Sequence, residues 1–137
     1  MAEIKSTSKI KLIPKETEQV SAKVVDAAYK VHKALGPGLL ESVYEICLAH
    51  ELVKNGLNVK RQVELPVKYD GLQLDAGFCI DLLVDECLIV ELKAVESILP
   101  VHKAQLLTYL RLTGCRLGLL INFNVPIIKA GICRIAV

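Results

Sequence analysis

Asp81, Glu91 and Lys93 stand in two stretches, "FCIDLLV" and "LIVELKAV", that otherwise read as interior β-strands. A carboxylate is costly to bury without a partner, so these residues call for a chemical reason. In an extended chain Ile89, Glu91 and Lys93 share one face and Leu88, Val90 and Leu92 the other. Two carboxylates within a few ångströms repel, and one of them keeps its proton. A hard divalent cation removes that conflict, and oxygen ligands suit Mg²⁺, with Mn²⁺ as a substitute. An amine beside such a centre can orient a water or stabilise developing negative charge. Acidic pair, cation and lysine together make a site for phosphodiester hydrolysis.

The geometry carries a condition. If Asp85-Glu86 were a plain two-residue turn, Asp81 would lie opposite Val90 and face away from Glu91. Convergence requires a connection with an odd number of residues, or a bulge of the sort found beside active sites.

Two helices add further polar residues. Tyr44, Leu48 and Leu52 follow Glu41 at i+3, i+7 and i+11, so Glu41 lies on the stripe facing the sheet. Counted from Gly38 as N-cap, it is equally an N3 residue that caps amides. His102, Gln105 and Tyr109 share one face of a later helix, which by spacing alone also describes a solvated polar face.

The elements that must hold these residues are legible. Val20, Val24, Ala27, Ala28 and Val31 give a helix from about residue 16 to 35, ended by Gly36-Pro37-Gly38. A second helix runs to about Asn55-Gly56. Val59, Val63, Leu65, Val67 and Tyr69 alternate with polar residues, with Arg61 breaking the apolar set; Pro66 marks this strand as an edge. Asp70-Gly71 predicts a hairpin into the strand containing Leu72, Leu74, Phe78 and Ile80. A third strand covers 87–94, Pro100 opens a helix closed by Gly114, "CRLGLLINF" is a strand covered on both faces, and a last strand falls within 127–136. A helix between two strands permits a crossover, so a mixed sheet flanked by helices is expected.

Composition bounds the function. The chain has 137 residues, 53% hydrophobic and 23% charged, as befits one folded domain. No apolar run approaches the ~20 residues of a membrane span, and the N-terminus lacks the pattern of a secretory signal. Five scattered cysteines without a C-x-x-C pair exclude a disulfide framework and a cysteine zinc site, and fit a reducing cytoplasm. Residues 1–35 carry seven lysines against four acids, whereas 36–137 carry ten basic residues against eleven acidic ones. A nucleic-acid function must therefore rest on local chemistry rather than bulk charge.

"GLLESVY", Gly38 to Tyr44, resembles the G-x-x-E-x-x-Y signature of the GxxExxY proteins, small members of the PD-(D/E)xK nuclease superfamily close to its RecB-like branch. "ID" at 80–81, "ELK" at 91–93 and "QLLTY" at 105–109 are similar to that superfamily's acidic, E-x-K and Q-x-x-x-Y elements, in order, and the likeness covers about residues 20–125. It implies a restriction-endonuclease-like α/β core: a three-strand antiparallel meander plus crossover helix and strand. It implies Asp81 and Glu91 as metal ligands, with the Leu92 carbonyl as a third and Glu41 holding a water of the ion or assisting it. Lys93 becomes the catalytic lysine, and Gln105 and Tyr109 contact the substrate phosphate or brace that lysine, with His102 near the same motif. Cys79 departs from the basic or polar residue that many relatives carry before the acidic element, and the region after Pro126 is short. The expectation is thus a mobile tail (1–15) and one nuclease-like domain (16–137), hydrolysing nucleic acid, DNA before RNA, with Mg²⁺ or Mn²⁺. It is expected to be cytoplasmic, without membrane contact, and to form a homodimer. The alternative is a nuclease fold that binds nucleic acid or a partner without turnover, which the small net charge and 4% aromatic content favour.

Overall fold

The computed structural model describes residues 12–137. Helices α1 (Lys15–Leu35) and α2 (Glu41–Lys54) precede a meander of β1 (Val59–Tyr69), β2 (Leu72–Val84) and β3 (Leu88–Lys93). Helix α3 (Pro100–Thr113) then crosses over to β4 (Leu117–Asn122), and a 3-10 turn (Ile128–Gly131) leads into β5 (Ile132–Ala136). The five strands form one sheet in sequence order; β3 and β4 are parallel and the other neighbours antiparallel. This is the expected mixed α/β architecture, a restriction-endonuclease-like core.

The sheet is covered on both faces. Leu82, Val84, Leu88, Val90, Leu92, Leu117 and Leu119 pack under α1 and α2, while Ile80, Ile89 and Leu120 pack under Leu106, Tyr109 and Leu110 of α3. That double burial explains why β3 and β4 are almost wholly apolar. Gly118 lets α3 lie close to β4, since a Cβ there would stand 2.8 Å from Leu106 Cδ1.

The sequence signals for the ends of elements act as expected. Gly36 closes α1 with φ 69°, Pro100 opens α3, and Gly114 ends α3 in the left-handed region. Asp70 and Gly71, both at positive φ, make the two-residue hairpin between β1 and β2. Strand β1 is an edge, with a register shift at Pro66 between Leu65 and Val67. Helix α1 starts at Lys15, and Ile13 already packs on the core. Residues 1–11 of the expected tail lie outside the described residues. The far end of the β1–β2 hairpin extends past the core, so Tyr69, Leu72 and Leu74 are exposed although their alternation reads as half-buried. All five cysteines are free. Among the described residues no helix is long and apolar enough to cross a membrane.

Candidate active site

The turn between β2 and β3 holds three residues, Asp85 to Cys87, because Val84 pairs with Leu88 and Leu82 with Val90. The connection is odd, as convergence required. One step further along the register, Asp81 and Glu91 come face to face, and there their side chains replace the ladder. The Asp81 amide donates to Glu91 Oε2 at 2.8 Å, and the Leu92 amide donates to Asp81 Oδ2 at 2.8 Å. Each carboxylate thus caps the opposite strand.

Alternation slips at the same level. In β2, Ile80 and Leu83 join the core under α3, while Leu82 and Val84 join the core under α1 and α2. In β1, Val59 packs on the face under α1 and α2, and Val63 and Leu65 on the face under α3. The pairings Arg61–Leu82 and Val63–Ile80 keep one register across this step, so both strands slip together. Gln62, midway, has φ +54°, a left-handed conformation that is unfavourable for a residue with a Cβ.

Helix α2 brings Glu41 to the cluster at its first residue. The N-cap is Leu40, not Gly38, so the expected N3 capping role is corrected: Glu41 is N1. The "GLLESVY" pattern acquires a physical account. Gly38, at φ 101°, turns the chain into the helix. Tyr44, fully buried and stacked on Phe123 at 4.5 Å, donates its hydroxyl to the Gly36 carbonyl at 2.6 Å and accepts the Leu39 amide at 3.1 Å. It pins the loop that aims Glu41. Tyr44→Phe is expected to leave both loop groups without their partner and to destabilise the fold by about 1–3 kcal/mol, read from the urea midpoint. An unchanged midpoint would show that the hydroxyl contributes nothing.

Glu91 is only 4% exposed. Burial, and next the neighbouring Asp81 charge, push its carboxyl up to about 8, against the Asp81 amide and Lys93, which lower it. Asp81 is also raised, first by burial, with the Leu92 amide opposing and the Glu45 charge adding. Burial raises Glu41 too; Lys93 opposes this, and the Asp81 and Glu45 charges add to it. The lysine therefore lies close enough to act on all three acids, and among the described residues it forms no ion pair of its own. On its far side, the Lys93 carbonyl accepts the Phe123 amide at 2.9 Å. The Leu92 amide points instead toward β2, and the carbonyl of the same residue points the same way along a strand.

Tyr109, 2% exposed, lies behind the acids. Its phenol is pushed up to about 12 by burial and then by the Glu91 and Asp81 charges, with the Cys79 amide opposing; its ring meets Phe78 edge-on at 5.5 Å. Gln105 and His102 do not join the acidic cluster by any hydrogen bond among the described residues. They line a groove of about 400 Å³ with Phe78, Val101, Ala104 and Thr108. His102 Nδ1 also accepts the Leu99 amide at 3.0 Å, so this ring caps α3.

Three residues escaped the reading of the sequence. Glu45, one turn beyond Glu41 and 5% exposed, binds Arg61 through Oε2 at 3.0 Å and Gln62 through Oε1 at 2.7 Å; Arg61, out of phase in β1, was its signal. Gln62 had none. Asn122, a polar residue ending the apolar "LGLLIN" run, accepts the Val95 amide and donates to the Val95 carbonyl, fixing the chain beyond Lys93.

The donor set fits a small hard cation. Two facing carboxylates and a backbone carbonyl are oxygen ligands, and Mg²⁺ keeps several waters in its shell. The raised acids show a negative cluster that Lys93, the neighbouring backbone amides and the Gln62 carboxamide offset only in part. Among the described residues no three acidic, histidine or cysteine side chains form a ready ligand group. Compared with known protein families, residues 18–135 match the model of the PD-(D/E)XK nuclease superfamily. No curated protein and no solved structure matches the chain.

Proposed function

The chain belongs to the PD-(D/E)XK nuclease superfamily, and from that premise we propose that it is a Mg²⁺-dependent nuclease acting on DNA. The observation that carries this reading is the cross-strand seam, in which Asp81 and Glu91 each cap the other's strand with Lys93 on the Glu91 face. Asp81, Glu91 and the Leu92 carbonyl would hold the ion, and Glu41 would reach it through water. When bound, the ion supplies positive charge to the phosphate oxygens. Lys93 orients the attacking water and stabilises charge as the new phosphorus–oxygen bond forms and the bond to the leaving sugar oxygen breaks, the attacking water losing a proton to solvent and the leaving oxygen taking one from it. Glu41 accepts a hydrogen bond from that water and holds it for in-line attack. Tyr109 backs the acids and keeps their far side dry, while Gln105 and His102 line the groove through which the substrate strand would run. We place the chain among the GxxExxY proteins because Gly38, Glu41 and Tyr44 each have a distinct mechanical part in presenting one carboxylate. A homodimer would let two such centres span a duplex; the apolar groove between α1 and α2, lined by Val31, Leu35 and Ile46, is its proposed contact.

The test is a cleavage screen of the purified chain on single-stranded, duplex and branched DNA, and on RNA, with Mg²⁺ or Mn²⁺. Cleavage of DNA that stops with EDTA and with Glu91→Ala is the expected result. Equal cleavage by wild type and Glu91→Ala would mark a contaminant and end the proposal. Binding of DNA by wild type without turnover would favour the non-catalytic alternative.

A further inference from the structure

Gln62 is an exposed residue on an edge strand, yet every hydrogen-bonding group of its side chain is engaged. Nε2 donates to Glu45 Oε1 at 2.7 Å and to Asp81 Oδ1 at 3.3 Å, and Oε1 accepts from Cys79 Sγ at 3.1 Å. Two carboxylates on one side fix which end of the amide faces them. Its backbone is held at φ +54°, opposite Asp81. Strained residues of this kind persist only where their surroundings hold them, and they cluster at functional sites. Asp81 has its Oδ2 committed to the Leu92 amide, so Gln62 holds the remaining oxygen. Glu45 in turn is anchored by Arg61 Nε and Nη2, at 3.2 and 3.0 Å.

We propose that Gln62 is a positioning residue for the cation: its carboxamide fixes the Oδ1 oxygen of Asp81, and the Arg61–Glu45 pair fixes the carboxamide. This rests on the reading of Asp81 as a ligand. A carboxylate oxygen can accept one hydrogen bond and still coordinate, so Gln62 orients the ligand without displacing the ion. Partners of this kind typically alter metal affinity ten- to a hundredfold.

The decisive variant is Gln62→Gly, which removes the carboxamide and suits the left-handed backbone. Mg²⁺ binding to the full chain is measured by calorimetry, alongside a thermal melt. The expected result is a Kd weakened about tenfold or more in a protein that still melts cooperatively. A wild-type Kd in folded Gln62→Gly overturns the proposal, because a merely structural role would move only the melting temperature. Gln62→Asn, which tolerates the same backbone but is one carbon short, must show the same weakening; if Gln62→Gly does not fold, Gln62→Asn decides alone. If wild type itself binds no Mg²⁺, the ligand reading falls, a result distinct from equal binding by wild type and variant.

Discussion

Lys93→Met is expected to slow DNA cleavage about a thousandfold while leaving Mg²⁺ binding in place, the scale seen when one preorganised charge is removed from a transition state. The amine sits at the end of β3 beside three acids and forms no ion pair among the described residues, so its charge is not committed to holding the fold. Met keeps the apolar stem and removes only the cation. The ligand oxygens stay where the seam holds them. Rates on saturating DNA and calorimetry on the same preparation separate the two effects. A variant that cleaves at the wild-type rate would remove the lysine from the mechanism. One that loses Mg²⁺ binding altogether would make it a structural member of the site instead.

The second large effect is on pH. Glu91 is pushed up to about 8 in the folded protein from an ordinary value of 4.5, and Asp81 and Glu41 are shifted in the same direction. A raised carboxyl means that the folded state binds more protons than the unfolded one between those two values. Metal-free stability should therefore be greatest near pH 4.5 and decline as pH rises toward 8. Cation binding must expel that proton, so Mg²⁺ affinity should climb about tenfold per pH unit up to about 8 and then level. Saturating Mg²⁺ should accordingly reverse the alkaline loss of melting temperature. Melts from pH 5 to 9, with and without the ion, check both signs. A metal-free melting temperature that does not fall through this window would show that a raised Glu91 carboxyl does not govern stability there.

Much of this was readable from the chain because the strongest signals are local. Gly36, Gly114 and Pro100 end or begin helices through their own backbone preferences. The conflict between apolar strands and Asp81, Glu91 and Lys93 pointed to the place where the two acids meet across the strands, and the register argument required the odd turn that Asp85–Cys87 supplies. What escaped depends on distant partners. Glu45 looks like any helix carboxylate until Arg61, sixteen positions later, folds against it. Gln62 carries a left-handed backbone that no non-glycine residue announces in sequence. The exposure of Tyr69, Leu72 and Leu74 escaped for the opposite reason: alternation specifies which face a residue takes, not whether the sheet beneath extends that far. Glu41 was placed on the right face but at the wrong helix position, since two glycines in left-handed conformations use up the residues before Leu40.

The mutual capping of the two acids has a bearing on descent. In most enzymes a residue that serves only the reaction is free to drift once the reaction is abandoned. Here neither acid is so free, because each satisfies a main-chain amide across the seam, and its loss would unpick the sheet at that point. A lineage that gave up cleavage would go on keeping both as fasteners, and its retirement would register first at position 93.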